Sequence, residues 1–249
     1  MDQKTLSYGS LCSFYYDAAE GFAPESEVSF FADFIDKHKN GRVLEAMSGS
    51  GRLQIPLLQR SYTVDGVDRS PTMLARCRER CIDLGLKPEL YEQALEELSL
   101  PHTYSTVIIA LGSFQLIVER EHALISLKAL HKHMDAHGDL LIDIFVPDRT
   151  DNARSSSCIR INEQIEIKQA ARYIFQEEAR RAQAFCLYEL IVDGAVKQQE
   201  NELIEVTWYT DDELTQLLNE AGFEVVCFYE KSFRQAGPSR IVHARSRAI

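Results

Sequence analysis

The most constraining feature of this sequence is a regular alternation of short apolar runs and helical patterns before residue 147. The apolar runs, which have the length of buried strands, are 42–47, 62–67, 88–92, 104–111 and 139–146. Amphipathic helical segments separate most of them, and the connecting loops are short. Strands joined by crossover helices run parallel, because each helix returns the chain to the same end of the sheet. The alternation therefore predicts a doubly wound α/β fold with a mostly parallel sheet and helices on both faces.

The pattern changes after Pro147, where the segments alternate apolar and polar residues. A turn cluster at 155–157 precedes alternating segments at 159–167, 172–176, 185–192 and 203–209, with an Asp193-Gly194 hairpin signal before the last one. This predicts an antiparallel β insertion. The α/β pattern then resumes, because Thr210 and Glu213 have the spacing of a capping box at a helix start. Two final strands, at 224–229 and 241–244, complete a predicted sheet of seven strands.

Charge and cysteine content narrow the classes of partner. The chain has 38 acidic and 27 basic residues, a net charge of -11, and its dense basic runs at 76–80 and 240–247 have the character of solvated faces. We therefore expect no nucleic-acid partner, since that binding needs clustered basic residues. No apolar run approaches the ~20 residues that span a bilayer, so we expect no membrane partner. The six cysteines include no Cys-x-x-Cys pair, and the polar segment 1–9 does not have the pattern of a signal peptide. These features predict a cytoplasmic location.

The first apolar run leads into a loop that contains Gly49 and Gly51 and precedes a helical stretch. At such a strand–turn–helix junction, backbone N–H groups face a ligand at close range. Asp68 ends the second run, where a carboxylate can accept hydrogen bonds from both hydroxyls of a ribose. The two features predict a nucleoside-containing ligand at the carboxyl ends of the first strands. A dinucleotide fingerprint would place a third glycine where Gln54 stands, so pyrophosphate binding is disfavoured.

Four blocks of this sequence resemble motifs of the class I S-adenosylmethionine-dependent methyltransferases. Segment 43–52 is similar to motif I of that family, and segment 68–74 to its ribose-binding acid followed by a Ser-Pro-x-Met-Leu helix start. Segment 113–116 resembles the stretch after the fourth strand in small-molecule N- and sugar-methyltransferases. Segment 209–214 resembles the family's return after an antiparallel insertion. The resemblance, which covers roughly residues 8–245, implies S-adenosylmethionine as the cofactor and a small molecule as the methyl acceptor.

The resemblance also implies which residues line the cofactor site. Glu45 would anchor the amino group of the cofactor's methionine moiety, and Asp68 would hold the ribose. Arg52 either reaches the methionine carboxylate or lies on the surface. The implied set is Glu45, Met47, Gly49, Gly51, Arg52, Asp68, Arg69, Met73, Gln93, Ala94, Leu95, Leu111 and Gly112.

Two departures from the family pattern affect this site. Met47 stands where the first glycine of the loop is usual, and Gln93-Ala94 stands where a Gly-Asp pair usually meets the adenine amino group. Adenine would then rely on backbone groups around Ala94 and Leu95 and on the Gln93 amide. The departures leave open a non-catalytic cofactor-binding or regulatory module of the same fold. A nucleotide-dependent oxidoreductase is a second alternative.

The acceptor side of the site is expected in the insertion, which leaves the fifth strand at its carboxyl end, where ligands of open α/β sheets bind. The substrate-side candidates are Ser113, Arg172, Tyr173 and Tyr188, and the catalytic candidates are Tyr15 and Tyr16, which would either cover the cofactor or belong to the core. Alternatively, the insertion is a sheet through which two copies of the chain pair as a homodimer. We expect no metal, because residues 110–112 include no carboxylate and the histidines have no other metal-ligating residues beside them in the sequence.

These expectations divide the chain into four parts. They are an N-terminal cap and first helix (1–40), a cofactor-binding α/β core (41–149), the substrate-side insertion (150–209), and a C-terminal helix with the last two strands (210–249).

Overall fold

The computed structural model describes residues 8–38, 41–147, 153–231, 233 and 239–248. The helices are α1 (Ser10–Glu20), α2 (Glu25–Lys37), α3 (Gln54–Gln59), α4 (Pro71–Asp83), α5 (Arg120–Lys132) and α6 (Asp211–Glu220). The strands are β1 (Val43–Ala46), β2 (Val64–Asp68), β3 (Glu89–Glu92), β4 (Tyr104–Ile109), β5 (Met134–Phe145), β6 (Arg154–Arg160), β7 (Ile165–Gln176), β8 (Arg181–Val192), β9 (Ala195–Thr207), β10 (Phe223–Tyr229) and β11 (Ser239–Ser246).

Seven strands form one sheet in the order β10-β11-β5-β4-β1-β2-β3. The pairs among β1 to β5 are parallel, whereas β11 pairs antiparallel with both β5 and β10. One face of the sheet packs on apolar residues of α5 and α6, and the other packs on α2 and α3. The predicted doubly wound, mostly parallel seven-stranded fold is therefore confirmed.

The helix boundaries follow from local capping chemistry. Ser70 precedes α4 and its hydroxyl accepts a hydrogen bond from the Met73 N–H at 3.3 Å, while Pro71 occupies the first helical position. Thr210 and Glu213 form the predicted capping box at the start of α6, with both reciprocal hydrogen bonds present. Each cap satisfies backbone N–H groups that have no partner within the helix.

Replacing Thr210 by alanine should lower the free energy of unfolding by about 1 kcal/mol, because it removes the acceptor for the Glu213 N–H. For a chain of this size the melting temperature should fall by about 2–4 °C, measured by scanning calorimetry. Thr210→Ser, which keeps an acceptor oxygen, should lose only a fraction of that. Equal losses in the two variants would show that the hydroxyl is not the stabilising group.

The insertion is a separate antiparallel sheet of four strands, in the order β6-β7-β8-β9. Asp193 and Gly194 form the predicted hairpin turn, both with positive φ. The predicted turn at 155–157 is wrong, because these serines lie within β6. The chain turns instead at 161–164, where the Asn162 side chain accepts hydrogen bonds from the backbone N–H groups of Gln164 and Ile165. An exposed edge strand tolerates serines, whereas the asparagine builds an Asx-type turn.

Helix α1 is an element that the sequence patterns did not predict. Its N-cap residue, Gly9, has no capping side chain. Glu200 of β9 supplies the cap, since its carboxylate accepts hydrogen bonds from the N–H groups of Leu11 and Cys12 at 3.1 and 2.8 Å. On another face of α1, Asp17 forms ion pairs with Arg76 and Arg80 of α4. The helix is thus fixed between the insertion sheet and the α/β core.

Candidate functional site

A cavity of about 1660 Å³ lies at the carboxyl ends of the central strands, beneath α1 and the insertion sheet. Many of the residues singled out in the sequence line it: Tyr15, Tyr16, Glu45, Met47, Gly49, Arg52, Asp68, Arg69, Met73, Gln93, Leu95, Leu111, Gly112, Ser113, Tyr173 and Tyr188. Three others, Gly51, Ala94 and Arg172, do not. Single-ligand sites usually occupy about 300–1000 Å³, so this cavity has room for a cofactor and an acceptor together.

The loop after β1 lines the bottom of the cavity. Met47 adopts a left-handed φ of 59°, although it is not a glycine, and Gly49 has a φ of 55°. The Gly49 N–H donates a hydrogen bond to Asp68 Oδ2 at 2.8 Å, which ties the loop to the end of β2. The residue that replaces the usual first glycine therefore still makes the turn, at the modest cost of a left-handed L-residue.

Gly51 has a different role from the one expected. It has a φ of 79°, and a Cβ atom there would lie 2.6 Å from Cys77 Sγ and 2.9 Å from Ile55 side-chain carbons. The glycine therefore allows the loop to pack closely against α4. Unlike Gly49, it is not among the residues that line the cavity.

Asp68 is held in a fixed orientation at the end of β2. Its two carboxylate oxygens accept hydrogen bonds from the N–H groups of Ser70 and Gly49, each at 2.8 Å. Burial raises the pKa of Asp68, and these backbone donors oppose the rise. Carboxylate oxygens have further lone pairs, so Asp68 can still accept bonds from a ligand. Asp65, the other acid of β2, bonds to Arg42 and to the Tyr104 hydroxyl and lies outside the cavity lining.

Glu45 is a buried acid at the end of β1. Its side chain is 4% exposed, and its Oε2 atom has no hydrogen-bond partner. Burial raises the pKa of Glu45 to about 8, with repulsion from Glu27 adding to the rise, and attraction to Arg52 and a backbone hydrogen bond from Gln54 opposing it. A buried carboxylate with an unused acceptor atom on a cavity wall is suited to a cationic ligand group.

The Arg52 side chain is paired with another residue of the protein, an arrangement that neither of its two predicted positions included. The guanidinium is buried and forks onto the two carboxylate oxygens of Glu27 at 2.9 and 2.7 Å. Its Nε atom is buried and has no hydrogen-bond partner. Arg52 therefore lines the cavity as one half of a buried ion pair and is not a surface residue. Glu27 was not predicted from the sequence. The one feature that could have indicated its buried position is that it is an acid beside Val28 on the apolar face of a helix.

The Gln93 amide is already used within the protein. Its nitrogen donates to the Ser99 carbonyl at 3.2 Å, and its oxygen accepts from the Ser99 N–H at 2.8 Å. Gln93 also lines the cavity, and its amide keeps one further N–H and one further lone pair beyond this pair. Ala94 is absent from the cavity lining, whereas Leu95 and the unpredicted Glu96 belong to it.

The two catalytic candidates on α1 face the cavity. Tyr16 packs edge-on against Tyr8 with ring centroids 6.0 Å apart, and burial raises its pKa. The Tyr15 hydroxyl lies 2.5 Å from Ser157 Oγ, and its ring contacts that of Tyr188. Both tyrosines thus pack within the protein and also line the cavity.

Adjacent residues of β7 point to opposite faces of the insertion sheet, which separates Arg172 from Tyr173. Tyr173 lines the cavity and its hydroxyl lies 3.1 Å from Ser155 Oγ. Tyr188 is buried and its hydroxyl accepts a hydrogen bond from the Gln169 amide. Arg172 is exposed and lies outside the cavity lining, so the structure does not bring it together with the other substrate-side candidates.

Within the described ranges, no three or more His, Cys, Asp or Glu side chains cluster in a way that would hold a metal ion. No helix among the described residues has the length and apolar content to cross a membrane.

Comparisons with known proteins agree with this architecture. The chain is 34% identical over 108 residues to a phosphatidylethanolamine N-methyltransferase of Cereibacter sphaeroides; the match covers 43% of this chain and 52%, about half, of that protein. The structure of the sugar N-methyltransferase KedS8 from Streptoalloteichus sp ATCC 53650 has a TM-score of 0.80 at 15% identity, over 100% of this chain and 96% of that one. CalS10, an amino pentose methyltransferase from Micromonospora echinaspora solved with S-adenosylmethionine bound, has a TM-score of 0.72 at 17% identity, over 98% and 99%.

Because these two solved structures are only 15% and 17% identical in sequence to this chain, their similarity shows the fold alone. A family model described as a methyltransferase domain matches residues 43–138, which run from β1 into β5 and include the Gly49 loop and Asp68. Residues 43–138 therefore match a methyltransferase domain, and the chain has the class I methyltransferase fold.

Proposed function

We propose that this protein is an S-adenosylmethionine-dependent methyltransferase that acts on a small-molecule acceptor. The observation that carries the proposal is the convergence of Glu45, Gly49 and Asp68 on one wall of a large cavity whose opposite wall is the insertion sheet. This arrangement offers a cation site, a close backbone approach and a ribose acceptor at the ends of adjacent strands.

The residues present fit an S-adenosyl cofactor. The partnerless Oε2 of Glu45 suits the methionine ammonium, and the buried Nε of Arg52 suits the methionine carboxylate. Asp68 would accept bonds from the ribose hydroxyls. When bound, the cofactor supplies an electrophilic methyl group on a sulfonium centre. Tyr15 and Tyr16 would cover that centre, since aromatic rings stabilise cations.

The acceptor half of the cavity would be formed by Tyr173 and Tyr188 of the insertion together with Ser113, which follows β4 in the core. Transfer requires the nucleophile to be held in line with the methyl group, so the main task of these side chains is positioning. This assignment supports the division into a cap (1–40), a cofactor-binding core (41–149), a substrate-side insertion (150–209) and a C-terminal completion of the core (210–249).

The same proposal places the protein in the cytoplasm, without a nucleic-acid or membrane partner and without a metal. The net charge of -11 and the six free cysteines support it. A homodimer is also part of the proposal, through the outer face of the insertion sheet, which exposes Phe185.

Incubation with methyl-labelled S-adenosylmethionine and a pool of metabolite amines and alcohols tests the activity. The expected result is labelled product that accumulates with time, together with S-adenosylhomocysteine. Cofactor binding without any transfer would favour the non-catalytic module, and reduction of a nicotinamide would favour the oxidoreductase.

Replacing Tyr173 by alanine should reduce methyl transfer at least about tenfold and change cofactor affinity less than about twofold, because it removes an acceptor-side aromatic group and its hydroxyl. Steady-state kinetics and calorimetry measure the two effects. Arg172→Ala is the matched control, since it alters the adjacent residue on the opposite face and should change neither quantity. Loss of cofactor affinity in Tyr173→Ala would contradict the division of the cavity into two halves.

A further inference from the structure

The order of the strands fixes where the base of a bound nucleoside must lie. Glu45 is the residue before the last of β1, and Asp68 ends the neighbouring β2, so a methionine at the first and a ribose at the second set the direction of the ligand. The next strand outward is β3, whose Glu92 pairs with Asp68. The base therefore extends over the segment that follows β3. This step rests on the function proposed above.

That segment provides few polar groups for a base. Ala94 has no polar side chain, and the Gln93 amide is oriented by its reciprocal pair with Ser99. Leu95 is only 4% exposed and packs into the main core, which anchors the short 3-10 turn Leu95–Glu97. Of the two acids in this turn, Glu96 lines the cavity, whereas Glu97 is exposed and does not.

Glu96 is supported from the side of α5. Its side chain is 22% exposed, and its Oε1 atom lies 4.0 Å from Nδ1 of His122, which also lines the cavity. The turn packs against α5, so the carboxylate and the imidazole are held at the same end of the cavity. A partly buried carboxylate there is a strong acceptor for an N–H donor.

We propose that Glu96 recognises the exocyclic amino group of the cofactor's adenine, and so replaces the carboxylate that this chain lacks at Ala94. The amino group would donate to a Glu96 oxygen, and His122 would act as a positioning residue on the far side of the carboxylate. The proposal makes Glu96 a determinant of base specificity, and it accounts for how this chain tolerates the departure at Gln93-Ala94.

The test compares two ligands, S-adenosylhomocysteine and its 6-deamino analogue, in which purine replaces adenine. Calorimetry should show that the wild-type protein binds the deamino analogue at least about tenfold more weakly, as expected for a lost hydrogen bond to a charged group. Glu96→Ala should weaken binding of S-adenosylhomocysteine by a similar factor and leave binding of the deamino analogue within about threefold. The preference for the amino group should therefore disappear in this variant.

Glu97→Ala is the control, because it removes the neighbouring acid that lies outside the cavity lining, and it should keep the wild-type preference. Binding of the deamino analogue to Glu96→Ala shows that the variant is folded. A wild-type preference retained in Glu96→Ala would overturn this proposal and leave the proposed function in place. A wild-type protein that binds neither ligand would overturn both.

Discussion

Replacing Asp68 by alanine should weaken the binding of S-adenosylhomocysteine at least about a hundredfold. Two ribose hydrogen bonds to a carboxylate contribute about 1.5–3 kcal/mol each. The change also removes the acceptor of the Gly49 N–H, so the loop beneath the ligand loses its link to β2. Isothermal titration calorimetry on the variant and the wild type measures the effect.

Two further variants make this result specific. Asp68→Asn keeps one acceptor oxygen and should fall between the wild type and Asp68→Ala. Asp83→Ala removes an exposed acid at the end of α4, outside the cavity lining, and should bind as the wild type does. Binding by Asp68→Ala within about threefold of the wild type would show that the ribose does not lie at the end of β2.

Cofactor affinity should rise about tenfold between pH 6 and pH 7, because the ammonium of the ligand requires the ionised form of Glu45. The pKa of this acid is raised to about 8 in the ligand-free protein, so only a small fraction is ionised at pH 6. Binding should therefore release a proton from Glu45. Calorimetry in buffers with different ionisation enthalpies measures that release directly.

Glu45→Gln should bind more weakly and with a much flatter pH dependence over the same range. A wild-type affinity that does not change between pH 6 and pH 7 would show that Glu45 does not hold the ammonium.

The raised pKa of Glu45 also predicts how stability depends on pH. A carboxyl group with a raised pKa in the folded state stabilises the fold below its unfolded-state pKa, and this contribution is lost as the pH rises through about 8. Relative to Glu45→Gln, the wild-type protein should therefore lose roughly 3–5 kcal/mol of unfolding free energy between pH 4.5 and pH 9. Denaturant unfolding at the two pH values checks the sign and the size of this difference.

The sequence was sufficient for the features that depend on local backbone chemistry. The apolar runs predicted the seven-stranded sheet, because continuous apolar strands are typical of a sheet buried on both faces. The small-residue loop around Gly49 and the acid at Asp68 are local signals of the same kind, and the structure places both on the cavity wall.

The features that the sequence did not predict depend on partners far along the chain. Helix α1 is capped by Glu200, which is 188 positions from Cys12. Arg52 is directed by Glu27, and this partner is recognisable only when α2 is packed against the loop. Sequence periodicity gives no information on such contacts, because they exist only in the assembled fold.

Two residues of the expected site, Arg172 and Gly51, lie outside the cavity lining, and elementary geometry explains why. Arg172 and Tyr173 are adjacent in a strand and point to opposite faces of the insertion sheet, and the sequence alone does not tell which of the two faces the cavity. Gly51 has the same conformational freedom as Gly49, but the space that it leaves is filled by Cys77 and Ile55. A glycine pattern alone does not distinguish a ligand contact from close packing.

A crystal structure of the protein with S-adenosylhomocysteine should show the ligand in the cavity described above. The ribose hydroxyls should lie within hydrogen-bond distance of the Asp68 carboxylate, and the amino group of the homocysteine should contact Glu45. The cavity beneath α1 and the insertion sheet should keep open space beside the sulfur atom for an acceptor. A ligand bound elsewhere, or no ligand in this cavity at a saturating concentration, would contradict the account.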